Sequence, residues 1–307
     1  MLTRLFIGFL ALLTVGLCAA SIRWLWKQSC ANRADLFLNA GVAGTALFFI
    51  LLAGQWVFLS YYLKYAAVFF YLLAVLKSCS RLKRRSIFSR VKRDGRSGPV
   101  KIALLFIFIF LCAISIKGRY YSGEPVELSF PLKNGRYYVM QGGSGFLLNA
   151  FHGFKSSQRY AVDLVKLNLY GNRANGLFPK KLSSYAIFGE TVYSPCDGTV
   201  VRSSDGAPDD PRDKGYYKDN PAGNHVIINC KGVYVLIAHM MGNSLRVSRG
   251  DDVRVGAPLG NVGNSGNSME PHLHVQATKE LVPGGEGVPI LFNGYFPVMN
   301  GIITARE

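Results

Sequence analysis

Acidic residues are nearly missing from the first 116 positions, where Asp35 and Asp94 stand against 15 lysines and arginines. The remaining 191 positions hold 20 basic and 16 acidic residues, so most of the net charge of +17 belongs to the first part. Histidine is also missing there, and all five histidines follow it: His152, His225, His239, His272 and His274. Cysteine is sparse, and only Cys196 and Cys230 lie beyond Lys117. No internal repeat or low-complexity tract occurs, which sets aside repeat architectures. After Glu124 long helical periodicity is absent as well, which argues against a helical second half.

What the first part does have is long apolar runs. Four are candidates to cross a bilayer: Leu5 to about Ser21, Leu36 to about Val57, Phe58 to Leu76, and Ile102 to Ile116. A helix crossing a hydrocarbon core of about 30 Å needs about 20 apolar residues. The fourth run is short by that measure, but Lys101 and Lys117 bracket it and can snorkel to the two interfaces. The alternative, four buried core helices, requires a large helical domain with almost no polar face. The first run also has features of a cleaved signal peptide, ending in Cys18-Ala19-Ala20-Ser21. Arg23, Lys27 and Arg33 follow it directly, and that favours a retained helix.

The segment Lys77–Lys101 holds about ten basic residues, densest at Arg81-Leu82-Lys83-Arg84-Arg85. Such runs can bind nucleic acid. Between two spans, retention of positive charge in the cytoplasm explains it more simply, with anionic lipid headgroups as neighbours. We therefore expect a lipid bilayer as a partner and no nucleic acid. A cytoplasmic basic loop sends everything after Lys117 out of the cell and places the Arg23–Arg33 loop inside. The expected division is a multi-pass membrane region over 1–117, with its cytoplasmic loop at 77–101, and an extracytoplasmic domain over 118–307. In an oxidising compartment Cys196 and Cys230 form an even pair and are expected to bridge; two buried thiols are the alternative.

Beyond Glu124 the pattern is short strands between turn residues. Thr191–Ser194 and Thr199–Val201 flank Pro195-Cys196-Asp197-Gly198. His225–Asn229 and Val233–Ile237 flank Cys230-Lys231-Gly232, a hairpin turn. A further strand pair is expected around Gly256-Ala257-Pro258. Asp205–Gly223, with three prolines and many charges, reads as a long surface loop of functional use.

The sharpest local signal is Pro271-His272-Leu273-His274-Val275. Residues two apart in a strand share a face, so both imidazoles of a His-x-His pair can approach one metal ion or its bound water. The pair follows Gly260-Asn261-Val262-Gly263-Asn264-Ser265-Gly266-Asn267-Ser268, a glycine-rich turn that can bring backbone close to a ligand. Ser265 and Ser268, set among glycines and asparagines, read as turn formers and not as nucleophiles. No His-Glu-x-x-His sequence occurs, so a helix-borne glutamate base is excluded.

From about Pro131 to Gln276 the chain resembles the lysostaphin/LytM-type zinc metallopeptidases, the twenty-third metallopeptidase family. The resemblance is strongest from Gly250-Asp251-Asp252-Val253-Arg254-Val255-Gly256 through Ser268-Met269-Glu270-Pro271-His272-Leu273-His274. Ala238-His239-Met240 resembles the family's other histidine motif, and Tyr193–Gly198 its usual preceding strand. The resemblance implies a mainly β fold: an antiparallel-sheet LytM-like domain, here preceded by about four transmembrane helices. It implies one Zn²⁺ per chain, with His274 and Asp163 of Tyr160-Ala161-Val162-Asp163 as ligands. Many members carry the remaining ligand four residues before the aspartate, where this chain has Arg159. His152, ahead of Gln158-Arg159-Tyr160-Ala161, resembles a variant with that histidine further upstream and is assigned; His225 is the rival. His239 and His272 are the implied catalytic residues, handling protons and stabilising the oxyanion. The implied activity is endopeptidase cleavage of bacterial peptidoglycan peptides, by a protein of the cytoplasmic membrane with its C-terminal domain periplasmic or extracellular. The alternative is a non-catalytic regulator that keeps the fold and activates another wall hydrolase; such relatives usually lack ligands or the catalytic pair.

Overall fold

A computed structural model describes residues 2–84, 97–209, 219–281 and 285–306. The chain divides into two compact units, Leu5–Ile116 and chiefly Lys117–Glu307.

The first unit is helical: α1 (Leu2–Lys27), α2 (Arg33–Ala53), α3 (Leu63–Arg84) and α4 (Ser97–Lys117). Each contains a stretch of 20 or 21 residues long and apolar enough to cross a membrane. At 1.5 Å per residue such a stretch spans about 30 Å. Apolar side chains nevertheless face outward: Phe37, Phe106 and Phe110 are each more than 60% exposed. An apolar surface all round a helix is what a lipid solvent selects.

Two boundaries differ from the expected ones. The second run breaks at Gly54, whose extended backbone ends α2, and a short 3₁₀ turn, Trp56–Phe58, intervenes before α3 starts at Leu63. Trp56 Nε1 donates to the carbonyl of Ile50 at 3.0 Å, satisfying an acceptor at the end of α2. The fourth helix is not short. It begins at Ser97, tolerates Pro99 in its first turn where no N–H partner is needed, and carries Lys101 inside it. Lys101 Nζ lies 3.4 Å from Asp35 Oδ1. Of the basic loop, residues 85–96 lie outside the described residues.

The second unit is built on an eight-stranded antiparallel sheet, with order β12-β2-β3-β10-β7-β6-β5-β8. Its strands are β2 (Gly135–Gln141), β3 (Val162–Lys166), β5 (Gly198–Ser204), β6 (Asn224–Cys230), β7 (Val233–Met240), β8 (Asp252–Val253), β10 (Leu273–Thr278) and β12 (Ile302–Ala305). Two small sheets flank it: β4 (Thr191–Tyr193) with β9 (Pro258–Asn261), antiparallel, and β1 (Val126–Leu128) with β11 (Ile290–Phe292), parallel. Leu164, Val226, Ile228, Val235, Ile237 and Val275 fill the core. The central β10 is buried at all six positions, as expected of a strand covered on both faces.

The β6–β7 hairpin closes through Lys231 and Gly232 at φ 55° and 93°, positive at both positions as a type I′ turn demands. The strands around Gly256 exist but do not pair with each other. Gly256 N donates to Ser194 O and Ser194 N to Ala257 O, which places β9 against β4 while β8 joins β5. Cys196 and Cys230 form a disulfide with Cα atoms 6.0 Å apart, tying the turn after β4 to the end of β6. Closing a loop with sequence separation 34 restricts the unfolded chain by about 3–4 kcal/mol. Reduction should therefore lower the melting temperature of the unit measurably, and the Cys196→Ser/Cys230→Ser variant should melt where the reduced protein does. An unchanged melting curve on reduction would contradict the bridge.

Candidate metal centre

Three neighbouring strands deliver most of the site. Asp163 on β3 stands directly across from His274 on β10, and cross-strand partners share a face. The pairing brings His274 Nδ1 to 2.9 Å from Asp163 Oδ1. On the other side of β10, His274 is paired with Ala238 of β7, so His239 follows one residue later, near the end of β7. His239 has φ 62°, a left-handed conformation unusual for a histidine. Its own N–H donates to Ala222 O and its carbonyl accepts from Gly263 N, so loops on both sides hold that backbone. His272 immediately precedes β10. His152 lies in a turn-rich stretch braced by the buried Asn149, whose amide donates to the carbonyls of Gly143, Arg159 and Ala161.

His152, Asp163 and His274 converge, with donor atoms all within 4.8 Å of one another. Each carboxylate oxygen of Asp163 takes one imidazole, since His152 Nε2 lies 2.8 Å from Oδ2. The far nitrogens both face amide oxygens: His152 Nδ1 is 3.4 Å from Gln158 Oε1, and His274 Nε2 is 3.4 Å from Gln276 Oε1. With a metal bound, an outer acceptor on each imidazole would keep the ring proton on the far nitrogen and leave the inward lone pair for the metal, as metal-ligating histidines require. Two imidazoles and one carboxylate therefore fit a divalent metal, and leave a position for water.

His239 and His272 complete the cluster. Their ring centroids are 4.8 Å apart, and His239 lies 5.8 Å from His274. His239 Nδ1 lies 2.8 Å from Ser265 O and His272 Nδ1 lies 2.8 Å from Glu270 O. A carbonyl can only accept, so both Nδ1 atoms carry the proton and both Nε2 atoms remain available as bases or hydrogen-bond partners. His272 Nε2 is 3.6 Å from Asp163 Oδ1, which points it at the metal site.

Burial and mutual charge set the protonation states of the metal-free cluster. Burial opposes ionisation of Asp163, but the imidazoles of His152 and His272 outweigh it and hold the carboxyl well below its usual range. Burial likewise opposes a charge on His152, yet the Asp163 carboxylate raises it overall. His239 is pushed well below the ordinary imidazole value by burial and then by His272 and His274, so it is neutral near pH 7.

His225 stands apart from this cluster. It is the second residue of β6, is buried, and its Nδ1 lies 2.8 Å from Gly223 O. We expect His225→Gln to keep the full metal content and most activity. Burial lowers the pKa of His225 below 6.5. The unfolded chain takes up that proton first, so the wild type loses stability as pH falls below about 6.5. The glutamine variant should lose less over the same range, measured by melting at stepped pH. A loss of metal in this variant would restore His225 as the ligand.

The serines of the glycine-rich turn are structural. Ser265 Oγ accepts from Asn224 N at 2.9 Å and donates to Met240 O at 2.7 Å. Gly266, at φ 71°, passes so close to Gly223 that a Cβ would collide with its backbone, and this approach sets Ser265 beneath His239. The Asp205–Gly223 loop is bound to the same region. Asp205 accepts from Asn243 N and Leu245 N, and Asp209 from Gly242 N and Asn264 N. Residues 210–218 of that loop lie outside the described residues.

The fold is that of an antiparallel-sheet metallopeptidase domain. Residues 183–285 match Peptidase family M23, and the C-terminal unit carries a domain of that lysostaphin/LytM-type metallopeptidase family. The matched stretch contains His239, His272 and His274, while His152 and Asp163 lie upstream of it. Among solved structures, the chain is similar to the catalytic domain of lysostaphin, an antimicrobial peptidase from Staphylococcus simulans. Identity is 17%, covering 53% of this chain and 87% of that one, with a TM-score of 0.29. It is similar to a zinc-containing peptidase from Vibrio cholerae, at 18% identity over 53% of this chain and 41% of that one, TM-score 0.31. It is also similar to a catalytic-domain mutant of the prophage-encoded protein EnpA from Enterococcus faecalis. There identity is 17% over 56% of this chain and 93% of that one, TM-score 0.28.

Proposed function

We propose that this chain is a membrane-anchored zinc endopeptidase that hydrolyses peptide bonds of bacterial cell-wall peptidoglycan. The observation that carries the reading is the meeting of His152, Asp163 and His274 with a second pair of histidines, His239 and His272, whose Nδ1 atoms face the backbone carbonyls of Ser265 and Glu270. The three former residues would hold the zinc. When bound, it supplies a Lewis acid that polarises the scissile carbonyl and acidifies water. His239, neutral and buried, is placed to accept the proton of the attacking water. His272 would donate a hydrogen bond from Nε2 to the oxygen on which negative charge develops when both its ring nitrogens carry protons, Nδ1 remaining on the Glu270 carbonyl. The proton taken up then passes to the leaving amine, so that one water is consumed per bond cut.

Incubating the purified full-length protein with muropeptides should yield fragments whose masses sum to the substrate plus one water, with a new free amine. Chelation should stop the reaction and zinc should restore it. If no fragment appears with any muropeptide while zinc is bound stoichiometrically, the regulator reading replaces this one.

The basic loops and the cysteine pair support a position in the bacterial cytoplasmic membrane with the C-terminal unit outside. Reporter fusions after Gly123 should be active only as an exported enzyme, and fusions at Arg90 only as a cytoplasmic one. The reverse pattern would overturn the topology.

A further inference from the structure

We infer that Arg173 is a positioning residue for His272, acting through Glu270; this rests on the hydrolytic reading of the site. Arg173 lies between β3 and β4 and is 1% exposed. Its Nε donates to Glu270 Oε1 at 2.5 Å and its Nη2 to Glu270 Oε2 at 2.8 Å, a two-pronged pair. Nη2 also donates to Leu177 O at 2.8 Å, which fixes the guanidinium to its own loop. Glu270 is itself buried, and its backbone carbonyl is the acceptor for His272 Nδ1. Ser268 Oγ lies 2.9 Å from the same carbonyl oxygen. Between Glu270 and His272 stands Pro271. Its ring fixes φ and restricts the residue before it, so a shift of Glu270 is passed on to His272 instead of being absorbed in the chain. The guanidinium therefore sets where that carbonyl stands, and the carbonyl sets which nitrogen of His272 carries the proton.

The test compares zinc-loaded full-length wild type with Arg173→Lys, which keeps the charge but loses the fork, and Glu270→Gln, which keeps the shape but loses the charge. Each variant should retain one zinc per chain and a KM within about twofold, while kcat falls about 10–100-fold, the range typical of outer-shell losses. In ¹⁵N-histidine NMR spectra the His272 signals, identified by their absence from His272→Ala, should shift from a single Nδ1–H tautomer to a mixture. Wild-type kcat together with an unchanged tautomer in both variants would overturn the inference. So would a kcat loss that tracks zinc loss. If one variant fails to fold, the other decides. If the wild type itself shows no hydrolysis, the functional reading fails, and the tautomer spectrum still judges the role of Arg173.

Discussion

Asp163→Asn is expected to yield a chain that no longer retains metal through gel filtration and no longer hydrolyses peptide. The carboxylate gives one oxygen to His152 and the other to His274, at 2.8 and 2.9 Å. An asparagine carries no negative charge and would offer a metal one neutral oxygen in place of an anionic carboxylate. Removing an outer partner of a metal ligand commonly costs 10–100-fold in affinity. Removing one of three protein ligands should cost considerably more, because a site with three has none to spare. His152→Ala and His274→Ala should behave alike, and metal counted per chain by mass spectrometry is the readout. Stoichiometric zinc in His152→Ala, with loss in His225→Ala, would reassign the ligand.

The second large effect separates chemistry from binding. His239→Asn and His272→Ala are expected to keep one zinc per chain and lose about 10²–10⁴-fold in kcat, the usual contribution of a positioned proton-transfer group. Asparagine is the better replacement for His239 because it accepts φ 62° more readily than alanine, so the loss reports the imidazole and not the backbone. The double variant should be little worse than the poorer single one, because the two act in one step. Activity equal to wild type in both single variants would assign any hydrolysis to a contaminant.

Some of this could be read from local chemistry, and some could not. Lys231-Gly232 between two apolar runs specifies its own turn, because only positive φ at both positions matches the twist of the strands. The His272-Leu273-His274 spacing pointed to two rings on one side, but β10 starts only at Leu273, and His272, just ahead of it, is held by the Glu270 carbonyl. The meeting of Asp163 with His274 spans 111 residues, and only resemblance to a family anticipated it. Strand partners of β8 and β9 were misjudged because turn residues reveal a reversal but not which neighbour the strand finds afterwards. The start of α4 was missed because Lys101 looks like a boundary, although a helix continues through a lysine whose charge finds Asp35. The pairing of Arg173 with Glu270, 97 residues apart, had no local signal. Gln276 did have one: it lies two residues beyond His274 on the same strand face, where an outer partner of that imidazole would be sought.

X-ray diffraction data collected on either side of the zinc absorption edge, from crystals of the zinc-loaded protein, test the central claim most directly. One anomalous peak per chain is expected, bounded by His152 Nε2, Asp163 and His274 Nδ1, with the Nε2 atoms of His239 and His272 facing it. A peak at His225 or at the cysteines, or none at these three residues when zinc is bound stoichiometrically, would contradict the account.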